Sequence, residues 1–207
     1  MPYIFCYKKH LKTIGQILFV TVFIFFSTPN AESLEKYNKA ENIADYFSGI
    51  LLLNQSKYSD SFKYLKKLDG LEESHSSFAS KYLYSLVNSG NFHQAFNFSK
   101  KLEKLQIDSL ESNLIIGVYY LKNAKNDLAK KYFTKAKKNN FRTLLDSYLI
   151  ETLIIWSNIN ELDLEKAELS LNNLDNRFEN LKKIQNVFFN CFFENDNTES
   201  EFYKLVS

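Results

Sequence analysis

Apolar residues recur at three- and four-residue steps along most of the chain, the spacing of amphipathic helices. Leu114, Ile115, Val118 and Leu121 make one such stripe; Leu128, Ala129, Tyr132, Phe133 and Ala136 make the next, after a polar break at 123–126. Asn88-Ser89-Gly90-Asn91 separates two similar stripes with strong turn chemistry. Asp69-Gly70 and Gln106-Ile107-Asp108-Ser109 end one helix pair and begin another, with Asp108 or Ser109 placed to cap the helix that follows. Leu145, Leu149, Leu153 and Trp156 form a further stripe that stops near Ser157-Asn158; Leu181, Ile184, Val187 and Phe188 form another. The pattern predicts an all-α chain.

The stripes repeat. Gly49, Leu83 and Gly117 are evenly spaced, and Leu52, Leu86 and Tyr120 keep the same interval. So do Ser61, Ala95 and Ala129, and again Leu68, Leu102 and Ala136. Tyr58 and Phe92 form a column that Asn126 continues. Repeats of two helices run over 42–75, 76–109 and 110–143. Past 143 the register slips: an unbroken period puts the next small residue at Asp163, whereas Ala167 has the suitable context. This predicts a loop longer by about four residues, a degenerate fourth pair over 144–180 and a partial fifth over 181–207.

A 34-residue helix–turn–helix period with small residues at fixed places resembles the tetratricopeptide repeat family. Gly49 and Gly117 match its position 8, where a Cβ crowds the partner helix. Ser61, Ala95 and Ala129 match position 20, and Phe133 and Ala136 match positions 24 and 27. Leu83 at position 8 and Ser99 at position 24 depart from the pattern in the second unit, and the terminal proline is missing. The resemblance implies a right-handed α-solenoid with Gly49, Ser61, Ala95, Gly117, Ala129 and Ala136 as packing residues. It also implies a concave groove lined by the first helix of each pair. Carried over, the groove positions are Ile43, Tyr46, Phe47, Ile50, Leu53 and Asn54, then Ser77, Ser80, Lys81, Tyr84, Val87 and Asn88, then Glu111, Leu114, Ile115, Val118, Leu121 and Lys122. Family members that clamp a carboxylate have Lys and Asn where this chain has Tyr46 and Ile50, so that role is disfavoured. The expectation is a scaffold that binds a protein or peptide in an apolar groove. The alternative is a structural portion of a longer array.

The N-terminus changes the picture. Lys8, Lys9, His10 and Lys12 precede an apolar run over 14–26, and Ser27 to Ala31 turn small and polar. This is the order of a secretory signal peptide, with cleavage after Ala31; an uncleaved anchor is the rival reading. Either one predicts residues 1–31 as a targeting segment and 32–207 as a repeat domain of the periplasm or cell envelope. Membrane contact is expected only through 14–26, if that run is retained.

Charge and chemistry narrow the function. Without residues 1–31 the chain holds 23 basic and 24 acidic residues. A near-neutral body disfavours general nucleic-acid binding, which needs a basic stripe. Lysine pairs such as Lys66-Lys67 and Lys137-Lys138 read as solvated helix faces. Cys191, in an aromatic run, reads as a buried small hydrophobe. His75 among Ser74, Ser76 and Ser77 lacks a nucleophile elbow. His93, beside Phe92, reads as solvent-exposed. The glycines are scattered, and no Cys/His spacing suits a metal. The expectation is no enzyme and no cofactor.

Overall fold

The computed structural model describes residues 40–138 and 143–206. Among them are ten α-helices and no strand. They are α1 (Ala40–Asn54), α2 (Tyr58–Leu65), α3 (Ser76–Asn88), α4 (Phe92–Lys104), α5 (Leu110–Lys122), α6 (Asn126–Lys138), α7 (Leu144–Ser157), α8 (Leu164–Asn172), α9 (Glu179–Phe192) and α10 (Thr198–Val206). Each helix packs on the next along the chain, and α3 also meets α5. The result is a solenoid-like stack of helix pairs, in which neighbours supply most of the burial. The residues inserted between α7 and α8 form a 3₁₀ turn, Ile159–Glu161.

Helices pack closely where residue volumes match across a pair. A Cβ on Gly49 would fall onto the Leu65 side chain, and one on Gly117 onto the Phe133 ring. Leu65 and Phe133 stand at the same offset beyond their glycines. In the second unit the same two positions are Leu83 and Ser99, both buried. The bulk has moved from the second helix to the first, so the two departures from the family pattern compensate each other. Beside this contact Ser61 Oγ donates to the Gly49 carbonyl at 2.8 Å, and Ala95 and Ala129 occupy the matching place in the next two units. One apolar core runs through α1–α4 with Leu65, Leu86 and Leu102 at its centre, and Ile115 of α5 packs on it. Each such leucine contributes about 1.5–3 kcal/mol by leaving water.

Lysines at one repeat period tie helices together, the first within its unit and the next two across unit boundaries. Lys67, Lys101 and Lys135 are themselves one repeat period apart. Lys67 meets Asp45 at 3.0 Å, Lys101 meets Asp69 at 2.8 Å and Glu72 at 2.5 Å, and Lys135 meets Asp108 at 3.0 Å and Glu103 at 3.3 Å. Lys101 and Lys135 therefore clamp one unit to the one before, while Lys67 joins α1 to the turn after α2 inside the first unit; Lys66 and Lys67 both remain exposed, as expected of a solvated face. Glu103 also accepts from Lys100 and from the Tyr132 hydroxyl. Burial opposes its charge, but the hydrogen bonds from Lys100, Tyr132 and Lys135 outweigh that and bring its carboxyl down to about 2.

Helix ends explain how so few glycines suffice. After α1, α3, α4, α5 and α9 the chain turns through positive φ at Ser56, Gly90, Gln106, Ala124 and Glu194. Each time the following N–H reaches back to the last turn of the helix, as from Lys57 to Leu52 at 2.9 Å and from Lys125 to Tyr120 at 2.9 Å. These are Schellman closures, four of them made with a residue that carries a Cβ. At the other ends, Ser109 with Ser112 and Thr143 with Asp146 form capping boxes for α5 and α7.

The rear of the stack is built differently. Its core gathers Ile155, Ile159, Ala167, Leu171 and Phe189, with Trp156 against it. Trp156 donates to Gln185 at 2.8 Å, joining α7 to α9. Lys182 is only 3% exposed. Its ammonium donates to the Asn172 and Leu174 carbonyls and to Asn176 Oδ1. A cation there satisfies the carbonyls left over at the end of α8. Cys191 is exposed, against the expectation of a buried thiol, because its neighbours Phe189 and Asn190 take the inward face of α9.

The expected periplasmic or envelope location, with membrane contact, is corrected. Among the described residues no helix is long and apolar enough to cross a membrane. The longest, α1, has 15 residues, and a span needs about 20. The targeting segment 1–31 and the apolar run 14–26 lie outside the described residues.

Candidate binding groove

Two cavities adjoin on the face made by α1, α3 and α5. The first, of about 680 Å³, is lined by Leu53 and Asn54 of α1, Ser56 and Tyr58, then Ser80, Lys81, Leu83, Tyr84 and Val87 of α3, and Glu111, Leu114 and Ile115 of α5. The second, of about 630 Å³, is lined by Val87, Phe92, His93, Leu114, Ile115, Val118, Tyr119, Lys122 and Asn123. Val87, Leu114 and Ile115 belong to both, so the two make one continuous trough. The helical period produces it: Tyr84 and Val87 on α3, like Ile115 and Val118 on α5, are spaced i and i+3 and share a face.

Of the residues expected in a groove, Leu53, Asn54, Ser80, Lys81, Tyr84, Val87, Glu111, Leu114, Ile115, Val118 and Lys122 come together here. Tyr46, Phe47 and Ile50 do not line either cavity. Ile50 packs on the front core. The Tyr46 ring lies 5.3 Å from His75, and Phe47 stands edge-on to Tyr46 at 5.9 Å, itself 65% exposed. Asn88 turns back on its own helix, donating to the Tyr84 carbonyl at 2.8 Å. The ring-bearing residues Tyr58, Phe92, His93 and Tyr119 also line the trough and were not anticipated. Tyr58 and Phe92 belong to a periodic column at the start of the second helices, and that column was the available signal.

Aromatic contacts shape the walls. Tyr58 meets Tyr84 edge-on at 5.7 Å, and Tyr84 remains 52% exposed. Hydrogen bonding to Ser56 and then to Tyr84 lowers the Tyr58 pKa, while the bond to Tyr58 raises that of Tyr84. His93 Nδ1 lies 3.3 Å from the Tyr119 hydroxyl, and Tyr119 stacks on Phe96 at 3.9 Å. Exposed aromatic rings over a concave apolar floor favour capture of an apolar side chain.

Elsewhere, Ser77 Oγ is 3.0 Å from His75 Nδ1 on an exposed surface. Among the described residues no group of three His, Cys, Asp or Glu could hold a metal ion. No family model, curated protein or solved structure matches the chain.

Proposed function

We propose that this domain is a non-catalytic scaffold of the tetratricopeptide kind, right-handed in its stacking, that holds an apolar segment of a partner protein in the trough of α1, α3 and α5. The observation that carries the reading is the continuity of the two cavities through Val87, Leu114 and Ile115, beneath the exposed Tyr84 and Val118. A continuous apolar trough lined by helices suits a helix or extended segment that presents its apolar residues on one face. Truncating a central aromatic in such a site typically costs about 2 kcal/mol or more of binding.

The test is site-specific photocrosslinking of the full chain, with a benzophenone side chain at Tyr84 and, as a control, at the exposed Thr134 of α6. The expected result is an adduct from position 84 alone, mapping to one discrete apolar segment. A synthetic peptide of that segment should compete, and Val118→Asp should abolish the adduct. Equal labelling from position 134, or survival of the adduct in Val118→Asp, overturns the groove.

A further inference from the structure

The trough is lined by two lysines and one acid, Glu111, and the same molecule carries a complement for the lysines. Lys81 borders the first cavity and Lys122 the second. Over residues 76–138 there are 11 lysines against 4 acids; over 143–206 there are 5 basic residues against 12 acids. The two stretches thus carry +7 and −7. The acidic stretch ends in α10, where none of the residues is buried. Phe202, Tyr203 and Val206 are all more than half exposed, within one turn of each other on the helix. Glu199 leads the helix, and the loop before it carries Glu194 and Asp196.

We propose that α10 of a second copy occupies the trough: Phe202, Tyr203 and Val206 enter over Tyr84 and Val118, while Glu199 and its neighbours face Lys81 and Lys122. The match is one of shape and sign. A short amphipathic helix presenting residues at i and i+3 or i+4 fits a helix-lined apolar groove. The charge imbalance steers the acidic end of one copy toward the basic middle of another. The contact is heterologous, joining the tail of one copy to the trough of the next. It therefore closes into a ring or grows as a chain, rather than stopping at a two-fold dimer. The proposal rests on the trough being a binding surface, and it names the occupant.

Sedimentation velocity on the full chain, from micromolar to high micromolar concentration, tests it. The expected result is concentration-dependent association that weakens at least tenfold from low to high salt. Two variants break opposite halves of the contact: Phe202→Ser with Tyr203→Ser at the tail, and Tyr84→Ser with Val118→Ser in the trough. All four residues are exposed, and circular dichroism should show both variants folded. Each alone should be monomeric. Mixed one to one they should form a heterodimer, because one supplies an intact trough and the other an intact tail. Glu199→Lys should weaken the wild-type association without touching the apolar contact.

A monomeric wild type overturns the proposal, and so does a mixture that stays monomeric. Association that persists in the trough variant means tail meets tail, which also overturns it. If the wild type is monomeric while the position-84 crosslink still finds a partner, only the self-occupancy falls; if both fail, the trough is not a binding surface.

Discussion

The front of the stack, α1 to α6, and the rear, α7 to α10, keep the same plan of paired helices by different means. In front, small residues at a fixed period let helices touch, and lysines at the same period clamp one unit to the next. In the rear both second helices, α8 and α10, have nine residues; Trp156 joins α7 to α9, and the buried Lys182 of α9 holds the end of α8. The front relies on repetition of one contact, so its stability is a sum of similar interfaces. The rear relies on particular side chains with no counterpart elsewhere.

The largest effect should come from breaking the volume match. Gly117→Leu drives a side chain into Phe133 and should cost roughly 3 kcal/mol, at the upper end for overpacking. Adding Phe133→Ser transplants the Leu83–Ser99 arrangement into the third unit and should recover more than half of the loss. Urea denaturation of the two single variants and the double variant measures the coupling; simple additivity would sink the idea of compensation.

Next is the rear. Lys182→Met removes the donor that three acceptors share and leaves carbonyls buried, at about 2 kcal/mol. Amide exchange should quicken in α8 and α9 while α1 to α6 hold their protection. Equal loss in front would show the two regions to be one cooperative unit.

A pH titration distinguishes them as well. The Glu103 carboxyl lies near 2 in the fold against 4.5 when unperturbed. A lowered value means that its contribution is complete above about pH 4.5 and is lost as pH falls toward 2. Acid should therefore loosen the front across that window, and Glu103→Gln should flatten the response. With solvent screening the effect is about 1 kcal/mol. An unchanged acid limb in that variant would remove the clamp from the account.

The smallest effect has the opposite sign. Ala124→Gly after α5 and Glu194→Gly after α9 relieve a Cβ at positive φ and should each stabilise by about 1 kcal/mol. Thermal melts of both variants compare front and rear directly; a loss at either site would count against strain there.

How much of this was legible follows from where the signal lies. The helix stack was readable, because Gly49, Gly117, Ser61, Ala95 and Ala129 keep one period and helices follow apolar spacing. The exchange of bulk between Leu83 and Ser99 was not, because two misfits in a sequence do not announce that they occupy paired positions. The lysine column was present in the letters at 67, 101 and 135, but the acids they meet, Asp45 and Glu103 in α-helices and Asp69, Glu72 and Asp108 between them, do not form a single periodic column. The trough was half legible. Residues on α3 and α5, with Leu53 and Asn54 at the end of α1, fell where helical geometry put them, while Tyr46 turned to the His75 ring and Ile50 to the core. The Schellman closures escaped notice because four of them use Ser, Gln, Ala and Glu in place of glycine.

The paired volumes also constrain how such a gene can rearrange. In units one to three both members of the match lie inside a single unit, at a constant offset. Duplicating or deleting a whole unit keeps every match intact. A crossover between the two members does not: it would set Leu83 against Phe133, with too much bulk, or Gly49 against Ser99, with too little. The boundaries between units are then the permissive breakpoints for recombination, and the stretch from position 8 to position 24 is inherited as a block.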